Sequence, residues 1–74
     1  MSKTKVLICG ATGFVGRNMV EQLSRHANLE VHAVRFNRPE YKCANVIWHQ
    51  ADLRNPADIE RVIKGVDIII QAAA

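Results

Sequence analysis

The sequence predicts an α/β fold: a doubly wound parallel sheet, with helices on both faces and strands in the spatial order 3-2-1-4. Three observations lead there. Four short apolar runs are separated by two helical segments in the order β-α-β-β-α-β, and alternation of this kind builds a parallel sheet. A glycine-rich turn closes the first run and opens directly into the first helix. Right-handed crossovers then put the two helices on opposite faces and the fourth strand on the far side of the first. Ligands of such sheets bind at the carboxyl ends of the strands where the order reverses, here between strands one and four.

Each element has its own signal. Lys5 to Cys9 is an apolar run ended by Gly10, as expected of a strand buried on both faces. Gly10 to Gly13 forms a turn. From Phe14 the apolar residues Val15, Met19, Leu23 and Ala27 recur at helical spacing among polar Arg17, Asn18, Glu21 and Arg25, and the helix should end near His26 to Asn28. Glu30 to Val34 is a second strand. Phe36 to Asn45, with Pro39, is a connecting loop, and Val46 to His49 a short third strand. Asn55-Pro56 starts the second helix, with Asn as N-cap, Pro at the first helical position and Asp58 in the first turn. Gly65, just after Lys64, closes it. Val66 to Gln71 is the fourth strand, followed by Ala72-Ala73-Ala74.

Composition narrows the function. Seventy-four residues make one small domain of marginal stability. With 49% of residues hydrophobic and only 5% aromatic, the core must be aliphatic. The net charge of +3 comes from basic residues scattered between Lys3 and Lys64, with no run that would mark a nucleic-acid surface. Cys9 and Cys43 show no metal or redox spacing, and Cys9 lies in an apolar run where a thiol acts as a small hydrophobe. His26, His32 and His49 lack metal-ligand spacing. His26 is expected at the first helix's C-terminus, the other two as packed or surface strand residues, and Trp48 as a core anchor against a helix. No signal peptide or membrane-length apolar stretch is present, so the expected location is a reducing cytoplasm.

The informative stretch is Gly10-Ala11-Thr12-Gly13-Phe14-Val15-Gly16. A pyrophosphate needs backbone N–H donors, unobstructed by side chains, at the positive end of a helix. Gly10 permits the tight turn off the strand, Gly13 lets the backbone approach the phosphates, and Gly16 lets the helix pack close to the sheet. The N–H groups of Phe14 and Val15 are the candidate donors. The bare alternative is that the glycines only turn a strand into a helix; the strand before and the helix after favour the phosphate reading.

This G-x-x-G-x-x-G spacing after an apolar strand resembles the extended short-chain dehydrogenase/reductase family, which includes nucleotide-sugar epimerases, dehydratases and reductases. The resemblance spans the chain and implies the first half of a Rossmann-type domain. It implies that Asp52 contacts the adenine amino group, aided by the backbone of Leu53. It also implies that Ala72, Ala73 and Ala74 line the cofactor, with Thr12 in the same set. On this reading residues 1–74 are the N-terminal part of an NAD(P)-binding domain, and the rest of that domain and a substrate domain lie elsewhere. Read from the residues alone, Asp52 also has a structural role open to it, capping the loop before the second helix.

Arg35, nineteen residues after Gly16, stands where an NAD site usually has an acid to accept from the ribose 2′-hydroxyl. A cation suits the 2′-phosphate instead, so NADP is favoured over NAD. Arg38 is placed for a second contact, or else remains a solvated loop residue, as Arg35 would if NAD were bound without an acidic anchor.

The family acts through a Tyr-x-x-x-Lys pair with a Ser or Thr. The only tyrosine is Tyr41, and Asn45 stands four residues on, so no residue here takes a catalytic role and these 74 residues alone should be inactive. The expected parent is an NAD(P)-dependent nucleotide-sugar epimerase, dehydratase or reductase. The rivals are a reductase of a non-sugar carbonyl and a non-catalytic dinucleotide sensor. Expected partners are the dinucleotide and a nucleotide-sugar or other small carbonyl substrate, with a homodimer open and no nucleic acid, membrane or metal.

Overall fold

The computed structural model describes residues 3–72. The elements are β1 (Thr4–Cys9), α1 (Phe14–Leu23), β2 (Leu29–Arg35), β3 (Val46–Gln50), α2 (Pro56–Ile63) and β4 (Ile68–Gln71). The four strands form one parallel sheet in the order β3-β2-β1-β4, the predicted order. Alternation along β1 feeds two separate cores. Val6 and Ile8 join Val31, Ala33 and Val20 of α1 on one face. Leu7 and Cys9 join Val34, Ala51 and Val62 of α2 on the other. The two helices therefore cover opposite faces, and β1, apolar throughout its second half, is sealed between them.

Three details differ from the sequence reading. First, α1 ends at Leu23 rather than near His26 to Asn28. Beyond Leu23 the chain tightens into i→i−3 bonds, Arg25 N–H to Gln22 O and His26 N–H to Leu23 O. The Ser24 hydroxyl meanwhile donates to Glu21 O, a local competitor of the helical ladder. His26 is thus an exposed turn residue past the helix end, not part of its last turn. Second, the buried positions of α1 are Gly16 and Val20, flanked by half-buried Met19 and Leu23. Val15 is 60% exposed and Phe14 86%. Third, β4 begins at Ile68, not Val66. The Val66 N–H bonds Ile63 O in the turn. Asp67 exchanges bonds with Lys5, its N–H to Lys5 O and its carboxylate accepting from Lys5 N–H at 2.8 Å. The other strand ends shift by one residue or so, within the usual fraying.

α2 ends as predicted: Asn55 caps it by accepting from Ala57 N–H, and Gly65 takes φ +75° just beyond it, the left-handed conformation that glycine adopts freely. Trp48 packs half-buried on the α1 side of the sheet, edge-on to Tyr41 with ring centroids 4.9 Å apart.

On the α2 face, a hydrogen-bonded line crosses β2 to β3. Glu30 Oε2 lies 2.8 Å from His32 Nε2, and His32 Nδ1 lies 2.7 Å from His49 Nε2. With the carboxylate accepting from His32, the two histidines share one proton, so a doubly charged pair would set N–H against N–H. Lys5 and Lys3 approach Glu30, and Lys5 and Arg61 approach His49. The His32 hydrogen bond holds the Glu30 carboxyl below its usual range. Burial, then the His32, Arg61 and Lys5 charges, push His49 below its own. Both groups bind protons more readily in the unfolded chain, so stability is lost as pH falls. The melting temperature should drop first as pH falls below about 6.5, through His49, and again below about 4.3, through Glu30. His49→Gln should flatten the first descent; a melting temperature constant from pH 7 to 5 in the unsubstituted protein would contradict this account.

Candidate functional site

The site grows from the end of β1. Gly10 turns the chain at φ +75°, and Gly13 N–H closes the turn on Gly10 O at 3.2 Å. Gly13 is the N-cap of α1, in extended conformation, and offers no side-chain cap; the first turn carries no acid. α2, by contrast, has both the Asn55 cap and Asp58. The N-terminus of α1 is therefore the uncompensated positive end of a helix dipole.

The two later glycines of the turn differ sharply. A Cβ on Gly16 would lie 2.0 Å from Gly10 O and 2.8 Å from Ala11 Cα, so close backbone packing excludes any side chain there. A Cβ on Gly13 would meet only Gly10 O, at an ordinary 3.5 Å. Nothing among the described residues requires Gly13 to be bare.

A cleft of about 800 Å³ opens over this turn. Its floor is Gly10, Thr12, Gly13 and the outward side chains of Phe14 and Val15; its far wall is the ends of β2 and β3. Arg35, Arg38, Asp52, Leu53 and Ala72 all line it. The fold thus brings the predicted residues to one cleft, apart from Gly16, which is buried behind the turn. Ala73 and Ala74 lie outside the described residues. The lining holds three arginines, Arg35, Arg38 and Arg54, against one carboxylate, Asp52, which suits an anionic ligand.

Asp52 is bonded within the protein by Arg54. Its Oδ1 accepts from the backbone N–H and the Nε of Arg54, both at 3.0 Å, and its Oδ2 accepts from Arg54 Nη2 at 3.2 Å. These bonds hold its carboxyl below the usual range. The backbone bond is the loop-capping role left open by the sequence. Asp58 fixes the same loop, its carboxylate accepting from Asp52 N–H at 2.9 Å. Leu53 turns partly inward onto the α2-side core.

Three further side chains had not been singled out for the site. Phe36, at the end of β2, is 45% exposed and lines the cleft. The Arg54 guanidinium lies 5.4 Å from its ring centroid. Tyr41 donates its hydroxyl to Ala11 O at 3.0 Å, under the Arg17 guanidinium at 4.4 Å from the ring, and burial pushes the phenol pKa up. The loop after β2 is thereby tied to the glycine turn. Of the three, only Arg54 carried a signal: an Asp two residues before a potential backbone donor, at a strand end, is an Asx-turn pattern.

Comparisons with known proteins bear on the fold and the family. No curated protein matches the chain. Among solved structures, an isoflavone reductase superposes with a TM-score of 0.79 at 26% identity, over 99% of this chain and 28% of its own. A uronate dehydrogenase from Agrobacterium tumefaciens gives 0.78 at 25% identity, over 97% and 27%. A short chain dehydrogenase family protein from Francisella tularensis subsp. tularensis SCHU S4 gives 0.73 at 25% identity, over 95% and 31%. The chain thus spans under a third of each of these structures. Its sheet is the first half of a Rossmann fold, and residues 6–74 match the family described as NAD dependent epimerase/dehydratase. The chain belongs to the NAD dependent epimerase/dehydratase family.

Proposed function

We propose that this chain is the N-terminal, dinucleotide-binding part of a longer oxidoreductase. The observation that carries the reading is Gly13: it is bare where the protein leaves room for a side chain, and it stands at a helix N-terminus with no cap of its own. A pyrophosphate placed there would take the N–H groups of Phe14 and Val15, with Gly10 and Thr12 shaping the turn and Gly16 seating the helix. Arg35 and Arg38 would meet the ribose end, Asp52 and Leu53 the adenine, and Ala72, with Ala73 and Ala74 beyond it, the nicotinamide side. The nicotinamide would supply the hydride acceptor or donor. The chain's own residues bind and orient; none is placed here as an acid or base, so the 74 residues alone should show no turnover.

For the parent protein we favour hydride transfer between nicotinamide and a sugar carbon of a nucleotide-sugar, a reading supported by the family and by the uronate dehydrogenase neighbour. The isoflavone reductase neighbour favours a second reading, reduction of a non-sugar carbonyl. For the cofactor we favour NADP over NAD, since Arg35 and Arg38 both line the cleft and no acid stands at the end of β2.

The intact protein should bind NADPH more tightly than NADH. Arg35→Asp should remove or reverse that preference, by repelling the 2′-phosphate and supplying an acceptor for a ribose hydroxyl. An ordinary charge-assisted contact implies a change of about tenfold or more. Equal calorimetric affinities for NADPH and NADH in the unsubstituted protein would sink the assignment of Arg35.

A further inference from the structure

At the adenine end of the cleft, Phe36 offers a flat apolar ring beside a carboxylate. Ala51 is buried in the adjoining core, and Leu53 lines the same wall. A planar base with an exocyclic amino group suits such a surface: the ring stacks and the carboxylate accepts. The obstacle is Arg54. Its guanidinium carbon lies 5.4 Å from the Phe36 centroid, and two successive stacked contacts at about 3.5 Å each need roughly 7 Å. No base fits between them. Arg54 also occupies both oxygens of Asp52. Ring and carboxylate, the two groups that would recognise a base, thus both have one side chain as partner.

That side chain is poorly anchored apart from these contacts. Arg54 is 81% exposed, and solvent-exposed ion pairs are readily exchanged. Its backbone N–H bond to Asp52 keeps the loop in place wherever the guanidinium goes.

We propose that Phe36 is the stacking seat of the cofactor's base and that Arg54 is an exchangeable cover, which the base displaces from both Phe36 and Asp52. The proposal rests on the dinucleotide reading and adds a competition to it. Arg54 attracts the ligand's phosphates as any cation would, yet opposes the base. Its removal should therefore raise the affinity for a ligand with a base relative to one without.

The test measures calorimetric affinities of the intact protein for ADP and for inorganic pyrophosphate. In Arg54→Ala the ratio of ADP to pyrophosphate affinity should rise about threefold or more, the scale of a cation–π contact released. Phe36→Ala should weaken ADP about fivefold or more, as loss of base stacking does, and leave pyrophosphate nearly unchanged. In the Phe36→Ala background, Arg54→Ala should raise the ratio by less than it does alone. A ratio that stays constant or falls in Arg54→Ala overturns the proposal, and so does a Phe36→Ala loss shared equally by both ligands. If neither ligand binds the unsubstituted protein, the dinucleotide reading itself falls and takes the proposal with it. Arg54 and Phe36 are exposed, so circular dichroism should show both variants folded.

Discussion

Gly16→Ala should leave little folded protein. The added Cβ would lie 2.0 Å from Gly10 O and 2.7 Å from its carbonyl carbon, and both contacts are backbone, which cannot swing aside. Either α1 lifts from the sheet or the glycine turn opens, and lifting α1 exposes Val20, a fully buried member of the core on that face. Overpacking a well-filled interior typically costs about 1–3 kcal/mol, and a clash with main chain belongs at or above the top of that range. Seventy-four folded residues account for only about 4–11 kcal/mol. Thermal unfolding by circular dichroism should show a fall of many degrees or no cooperative transition. A melting temperature like that of the unsubstituted protein would show that the helix does not press on the turn as described.

Gly13→Val should do the reverse. Its φ of −79° is open to any residue, and its Cβ would rest at an ordinary distance from Gly10 O. Stability should change by no more than about 1 kcal/mol, the scale of altering an N-cap. Binding should fail, because the branched side chain would fill the space a pyrophosphate needs in front of the Phe14 and Val15 N–H groups. A loss of about a hundredfold or more in NADPH affinity follows from losing several charge-assisted bonds together. Calorimetry beside a melting curve separates the outcomes: unchanged affinity in a folded Gly13→Val protein would remove the phosphate from this turn. On the proposed reading, the pair divides one sequence motif into a position that serves the fold and a position that serves the ligand.

The order of elements and strands could be read from the sequence because each strand announces itself. Val6 to Cys9 and Val31 to Val34 are continuous or nearly continuous apolar runs, and Asn55-Pro56 and Gly65 bracket a helix with capping chemistry. The phase of α1 could not be read in the same way. Gly16, buried against the glycine turn, could be read only from the motif, and hydrophobic periodicity placed Val15 on the buried face instead. The glycine turn and Arg35 drew attention through spacing and Asp52 through the family resemblance, and the fold brings them to one cleft. What stayed hidden depends on approach in space. Tyr41 meets Ala11 thirty residues away, and His32 finds His49 on the neighbouring strand seventeen residues on. Arg54 reaches Phe36 from another loop. No periodicity records such contacts, and a loop such as 36–45 has none to offer.

The bonds exchanged between Lys5 and Asp67 have a consequence for how this protein is made. The two residues are 62 positions apart, so the central strand leaves the ribosome first and waits for its second neighbour to be translated. At about 5–20 residues per second, those 62 residues take roughly 3–12 s. During that time β1 can pair only with β2, and its Ile8 and Cys9 backbone has no β4 to bond. A nascent chain with an apolar, half-paired strand is a substrate for holding chaperones and for association with neighbouring nascent chains. Synonymous changes that slow translation between β3 and β4 should lengthen that interval and lower the soluble yield of a protein whose amino-acid sequence is untouched.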